Sequence, residues 1–290
     1  MDPTFATLRD RLAAGTTMLP DKPEETPEAS LRALWLAAAG RPMSVVAAAS
    51  ADLPPLDDAG LARLGELVER RIAGIPLAHL TGRQRFLDLE LLAGAEALVP
   101  RRETELLARA AIELARGIDA PTVVDVCTGS GNVALALARH VPGARVFGAD
   151  LSEEALVLAR RNADLLGLAV EFRQGDLLAP FDSAAFLGRV DLLTCNPPYI
   201  SSSKVGQMAE EIAGHEPRLA FDGGPLGVTI LMRLVQQAPR FVKPGGWLAF
   251  EVGLGQGPAL VRRLKGNVAY RDVRELADEN GAVRAILVCC

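Results

Sequence analysis

Thr122-Val123-Val124-Asp125-Val126-Cys127-Thr128-Gly129-Ser130-Gly131-Asn132, running into Val133-Ala134-Leu135-Ala136-Leu137-Ala138-Arg139, decides the fold class. A short β-branched run, a glycine-containing turn and an amphipathic helix make the first β-turn-α unit of a doubly wound sheet. Glycines at 129 and 131 let the backbone approach a ligand with no Cβ in the way. The next strand, Arg145 to Asp150, ends in a carboxylate about 20 residues on, where an acid can hold ribose hydroxyls. A third, Val170 to Asp176, ends in an acid again. The turn lacks G-x-G-x-x-G spacing, since position 134 is Ala134, and no phosphate loop of the G-x-x-x-x-G-K-[ST] type occurs.

Downstream, the apolar strand Val190-Asp191-Leu192-Leu193-Thr194-Cys195 runs straight into Asn196-Pro197-Pro198-Tyr199. The prolines have no N–H, so Pro197 and Pro198 supply carbonyl acceptors and no competing backbone donors. Asn196 precedes a proline and is biased to an extended conformation. Tyr199 adds an aromatic face. Such a wall suits a planar, neutral –NH2 group. That group is a poor nucleophile, so the site needs a strong electrophile nearby. In an open α/β sheet, ligands lie beyond the carboxyl ends of the strands. The Cys127–Gly131 turn, Asp150, Asp176-Leu177 and Asn196–Tyr199 all fall at such ends, so four separate signals converge on one crevice.

Asp125-Val126-Cys127-Thr128-Gly129-Ser130-Gly131, Asp150, Gly175-Asp176 and Asn196-Pro197-Pro198-Tyr199 resemble the ordered motifs of class I S-adenosylmethionine (AdoMet) methyltransferases that act on amino groups. Pro76-Leu77-Ala78-His79-Leu80-Thr81-Gly82, Val99-Pro100-Arg101-Arg102-Glu103-Thr104-Glu105 and Glu216-Pro217-Arg218-Leu219-Ala220-Phe221-Asp222-Gly223-Gly224 narrow the resemblance to the protein-(glutamine-N5) methyltransferases of peptide chain release factors. The similarity runs from about Leu31 to the C-terminus with the motif order kept. Two positions depart from the family pattern: Arg102 replaces a proline, and Cys127 stands where the family often has glycine.

The resemblance implies that S-adenosyl-L-methionine is the cofactor and that Cys127, Thr128, Gly129, Ser130, Gly131, Asp150, Asp176, Leu177 and Asn196 line it. Asp150 is expected to accept from the ribose hydroxyls, and Asp176 or the Leu177 N–H to meet the adenine edge. Asn196, Pro197, Pro198 and Tyr199 are expected to bind the substrate, with Asn196, Pro197 and Tyr199 acting in catalysis. Asn196 Oδ1 and the Pro197 carbonyl would accept the two amide hydrogens of a glutamine, and Tyr199 would stack on its plane. An exocyclic amine of a nucleic-acid base, or a small amide or amine, presents the same hydrogens and stays open as an alternative substrate.

The bulk properties bound the partners. Hydrophobic residues make up 49% of the 290 and charged residues 23%, enough for a proper core. The net charge of −5 and the lack of a basic stripe argue against nucleic acid, where phosphate neutralisation dominates affinity. No apolar run approaches ~18 residues and the N-terminus lacks a secretory pattern. Cys127, Cys195, Cys289 and Cys290 have neither metal-ligand nor disulfide spacing, so the expectation is no metal and a reduced, cytoplasmic protein. The oligomeric state has no signal.

The fold expected is α/β: a doubly wound mixed sheet of the Rossmann-like, class I methyltransferase kind, with a small N-terminal helical domain and a β-hairpin linker. Residues 1–82 read as the helical, substrate-recognising domain, 83–99 as the hairpin and 100–290 as the methyltransferase domain. Within the first, Ser30 is the expected N-cap of a helix carrying Leu31, Leu34 and Trp35. A second helix follows Asp57-Asp58 with Leu61, Leu64, Leu67, Val68 and Ile72 on one side. Pro244-Gly245-Gly246 reads as a turn before a strand ending at Glu251.

Overall fold

The computed structural model describes residues 3–19, 21–207, 211 and 214–290. The chain forms two compact units, Met1–Arg102 with Met208–Glu216, and Glu103–Gln207 with Pro217–Cys290.

The first unit carries the helices Pro3–Gly15, Pro27–Ala38, Val45–Ala48, Asp58–Ile72 and Leu77–Thr81, then a hairpin of β1 (Arg83–Phe86) and β2 (Leu89–Leu92). Its core gathers Phe5, Leu12, Leu31, Leu34, Trp35, Leu64 and Val68. The second helix begins earlier than Ser30. Pro27 occupies its first turn, where a missing N–H costs nothing, and the Thr26 side chain accepts from Ala29 N. Ser30 is buried inside the helix. Asp57 caps Asp58–Ile72 by accepting from Gly60 N at 2.7 Å, while Leu61 turns out to be exposed. The described part of 208–216 is tied in by charge. Glu211 pairs with Lys22 at 2.6 Å and Arg71 at 2.8 Å, and Arg71 also holds Glu25 at 2.9 Å. Glu216, buried outright, accepts from Arg101 at 2.6 Å and Val99 N at 2.9 Å.

The second unit is built on a seven-stranded mixed sheet. Its strands are β3 (Thr122–Val126), β4 (Arg145–Asp150), β5 (Val170–Gln174), β6 (Val190–Cys195), β7 (Val242–Glu251), β8 (Asp272–Ala277) and β9 (Val283–Cys289). Their order is β5-β4-β3-β6-β7-β9-β8. Pairing is parallel from β5 to β7, and β9 runs antiparallel to both β7 and β8. The chain works outward from β3 through β4 to β5, then returns to place β6 on the other side of β3. That reversal is a topological switch point, the crevice where such sheets take ligands. Pro244-Gly245-Gly246 is not a separate turn but lies inside β7, where the register against β6 shifts between Val190 and Leu192. Phe181, Phe241, Phe250 and Leu193 lie at the centre of the core, and both central strands are buried throughout. Among the described residues no helix is long and apolar enough to cross a membrane.

Candidate active site

Strand register brings the candidate residues to one edge. Val126 pairs with Ala149 on one side and Cys195 on the other, so Cys127, Asp150 and Asn196 leave adjacent strand ends. Asp125, the last acid before the turn, is fully buried. It accepts from Thr128 Oγ1 at 2.6 Å and Thr194 Oγ1 at 2.7 Å, strapping the turn and β6 to β3. Burial pushes its carboxyl up to about 6.

The turn itself is closed by Thr128 N donating to Ala149 O and Gly131 N to Thr128 O. Cys127 sits at φ 56°, the left-handed region that disfavours a Cβ, and packs against the buried cluster that contains Cys195. Gly129, at φ 54°, has open space where a Cβ would stand, and its N–H donates to Asp150 Oδ2 at 2.8 Å. Asp150 Oδ1 accepts from Ser152 N at 3.0 Å. Burial raises the Asp150 pKa, opposed by these backbone N–H groups. Ser130 Oγ is buried with no hydrogen-bond partner among the described residues. Open room at Gly129, an unused hydroxyl at Ser130 and a carboxylate at Asp150 fit a cofactor with an amino-acid end and a ribose. Leu177 is buried at φ 50°. Asp176 differs from the rest: it is exposed, and its carboxylate is taken by Arg233 at 2.7 Å.

Asn196-Pro197-Pro198-Tyr199 is held from several directions. Asn196 Nδ2 donates to Thr104 Oγ1 at 3.0 Å, which leaves Oδ1 as the amide's free acceptor. Tyr199 Oη donates to Glu251 Oε1 at 2.9 Å. Burial, and then the neighbouring Glu251 charge, push the phenol pKa far up, so Tyr199 keeps its proton. Gln256 Nε2 donates to Tyr199 O at 3.0 Å and to Gly227 O at 3.2 Å. Ile200 bridges to Asp222, and Gly223 N donates to Ile200 O at 2.8 Å. The segment from Pro217 to Gly227 is thus a backing for the tetrapeptide.

Gly227 shows how tight the backing is. At φ 70°, a Cβ there would lie 2.2 Å from Tyr199 O. Gly227→Ala is expected to cost roughly 2–5 kcal/mol, adding overpacking to left-handed strain. Chemical denaturation measures it, and a loss within about 0.5 kcal/mol, the range of an ordinary surface change, would mean that the loop relaxes freely.

Thr104, Glu251, Arg284 and Gln256 are site residues that sequence reasoning did not assign. Glu251 carried a usable signal, since it closes a buried strand as Asp150 does. Arg284 lies 4.0 Å from Glu251 Oε1 and 3.4 Å from Glu103. Burial drives the Glu251 carboxyl up to about 7 from the usual 4.5, against the pull of the Thr104 and Tyr199 hydroxyls. A carboxyl with a raised folded pKa contributes its stability below its unfolded pKa and loses it as pH rises through the folded one. At about 1.36 kcal/mol per pH unit, the loss across this window is about 3 kcal/mol. Glu251→Gln does not titrate, so its unfolding free energy should fall less than wild type between about pH 5 and pH 8. Equal falls in urea denaturation would show that the carboxyl titrates normally.

Known proteins match along nearly the whole chain. Residues 10–82 match the family described as PrmC N-terminal domain, and residues 123–215 match that described as Methyltransferase domain. A release factor glutamine methyltransferase of Moorella thermoacetica is 37% identical over 279 residues, covering 96% of this chain and 94% of that protein. A namesake from Streptomyces coelicolor is 44% identical, covering 68% of this chain and 69% of its own. A methyltransferase structure from Pyrococcus furiosus shares the fold, with a TM-score of 0.51 at 16% identity over 70% of this chain and 90% of that one. Identity at this level over 96% of the chain places it in the release factor glutamine methyltransferase family.

Proposed function

We propose that this enzyme transfers a methyl group from AdoMet to the side-chain amide nitrogen of a glutamine in a peptide chain release factor, in the cytoplasm. The observation that carries the reading is the Asn196–Thr104 hydrogen bond at 3.0 Å, which spends the amide nitrogen and leaves the amide oxygen of Asn196 as an acceptor. Asn196 Oδ1 and the Pro197 carbonyl take the two hydrogens of the substrate amide and Tyr199 faces its plane. Orientation of this kind can lower a barrier by up to ~7–11 kcal/mol. Attack places positive charge on nitrogen, and acceptors bind that charge better than they bind the neutral amide. The N-methylated amide cation is a strong acid and sheds its proton unaided, so no side chain is required as base.

The residues of the glycine turn fit the cofactor. AdoMet, when bound, supplies the electrophilic methyl. Gly129 and Gly131 pass its methionine end, Ser130 Oγ offers a hydrogen bond, and Asp150 accepts from the ribose. Leu177, with Asp176 beside it, addresses the adenine; the Arg233 pairing of Asp176 supports Leu177 N–H as the better contact. Residues 1–82 serve substrate recognition, and 83–99 link them to the methyltransferase domain.

Transfer of labelled methyl from AdoMet to purified release factor tests the reading, with the factor lacking its target glutamine as control. Label on the intact factor alone is expected. AdoMet binding without transfer to the factor would overturn the substrate and keep the reaction class.

A further inference from the structure

Two tight turns stand against Tyr199. In the first, Gly227 N donates to Gly224 O at 3.0 Å and leaves Pro225 and Leu226 at the tip. In the second, Gln256 N donates to Gly253 O at 3.0 Å around Leu254 and Gly255, with Gly255 at φ 82°. The Gln256 side chain joins them. Its Oε1 accepts from Gly253 N at 2.9 Å, and its Nε2 donates to Gly227 O at 3.2 Å and to Tyr199 O at 3.0 Å. Both turns also touch Tyr199 through their glycines. A Cβ on Gly227 would lie 2.2 Å from Tyr199 O, and one on Gly253 would lie 3.0 Å from Cδ2 of the Tyr199 ring. Turn tips favour glycine, asparagine, aspartate and serine, yet these two carry leucine. Leu226 is 78% exposed and Leu254 69%. Among the described residues only Val268 is a more exposed large apolar side chain, and it precedes β8, at the sheet edge opposite Asn196. A single exposed leucine is ordinary, but two on linked turns beside a substrate-binding tyrosine form a patch with a location.

We propose that Leu226 and Leu254 form the docking surface for the stretch of release factor that flanks its target glutamine. This rests on the function proposed above and names the surface that grips the protein outside the amide site. The occupant follows from continuity. Gln256 binds the Tyr199 carbonyl and both turns at once, so whatever chain delivers an amide to Tyr199 passes the two leucines. The amide site holds only the tip of one side chain, through two hydrogen bonds and a ring. A protein partner is held chiefly by apolar anchors near the centre of its interface, and the leucines supply them there. Neither leucine belongs to the buried core, so each is available without any change of fold. Contacts made outside the reacting amide are equally strong in the ground state and the transition state. They therefore act on KM and leave kcat alone.

The test is steady-state methyl transfer to purified release factor by wild type, Leu226→Ser, Leu254→Ser, the double variant and Val268→Ser, with AdoMet affinity measured for each. Serine suits a turn tip, so folding is not at risk. Each single change is expected to raise KM for release factor about 5–10-fold, and the double change about 30-fold or more. Both kcat and AdoMet affinity should stay within about 2-fold of wild type, and Val268→Ser should match wild type throughout. An unchanged KM in the double variant, or a fall in kcat at constant KM, would overturn the docking surface while transfer to the factor upholds the function. Sedimentation of the enzyme alone adds one more outcome: a dimer that the double variant dissolves would assign the leucines to a second copy of this chain and overturn the proposal too. If wild type transfers no methyl to the factor, the functional reading fails and the docking surface falls with it.

Discussion

Asn196→Ala should slow methyl transfer by about 10²–10³-fold while AdoMet affinity changes by no more than a few-fold. The asymmetry follows from where the side chain stands. Its nitrogen is spent on Thr104 and its oxygen is left as the free acceptor, so alanine removes an acceptor that matters most when charge develops on the attacking nitrogen. Nothing in the glycine turn depends on it: the Gly129–Asp150 and Thr128–Asp125 bonds are made without Asn196. Single-turnover transfer with saturating AdoMet, beside a direct binding measurement, separates the two effects. Near-normal turnover would remove Asn196 from the chemistry.

Asp150→Ala should do the reverse and weaken AdoMet binding by about 10²–10³-fold, or about 3–4 kcal/mol. Two losses combine. The ribose hydroxyls lose their acceptor, and the Gly129 and Ser152 N–H groups lose the carboxylate that now fixes them at 2.8 and 3.0 Å. Hydrogen bonds to a charged group are worth about 1.5–3 kcal/mol each, so the turn is expected to loosen as well. Asp150→Asn keeps one acceptor and should fall between alanine and wild type. Calorimetric titration with AdoMet checks the order, and an unchanged affinity in the alanine variant would place the ribose elsewhere.

Much of the second unit was legible from local pattern. The β-turn-α unit at 122–140, the acid at the end of β4 and the strand running into Asn196 each announce themselves within a dozen residues, because period and turn chemistry act locally. The supports of the tetrapeptide were not legible for the same reason. Thr104 and Asn196 are 92 residues apart, and Tyr199 and Glu251 are 52 apart, so only the folded sheet joins them. Thr104 alone reads as the start of a helix. In the first unit the cap lies at Thr26 and not at the expected Ser30, because proline is favourable in a first helical turn and lets the helix begin at Pro27. Pro244-Gly245-Gly246 misled in a similar way, since a strand can absorb such a run as an irregularity where its neighbour's register shifts.

The charges that hold Glu211 and Glu216 bear on the order in which the protein can be made. Lys22, Arg71 and Arg101 emerge early in synthesis, but their carboxylates lie beyond residue 210. Until the later segment is available, Arg71 keeps Glu25 and the Ile75 carbonyl, and Lys22 and Arg101 lack the carboxylates they pair with. Stranding one partner of a buried pair costs about 3–5 kcal/mol, a large share of a small unit's stability. The N-terminal unit therefore gains its last ion pairs only once Glu211 and Glu216 have been made. It waits for a stretch encoded after the Asn-Pro-Pro-Tyr segment, so its last step of folding comes only when most of the sheet has been synthesised.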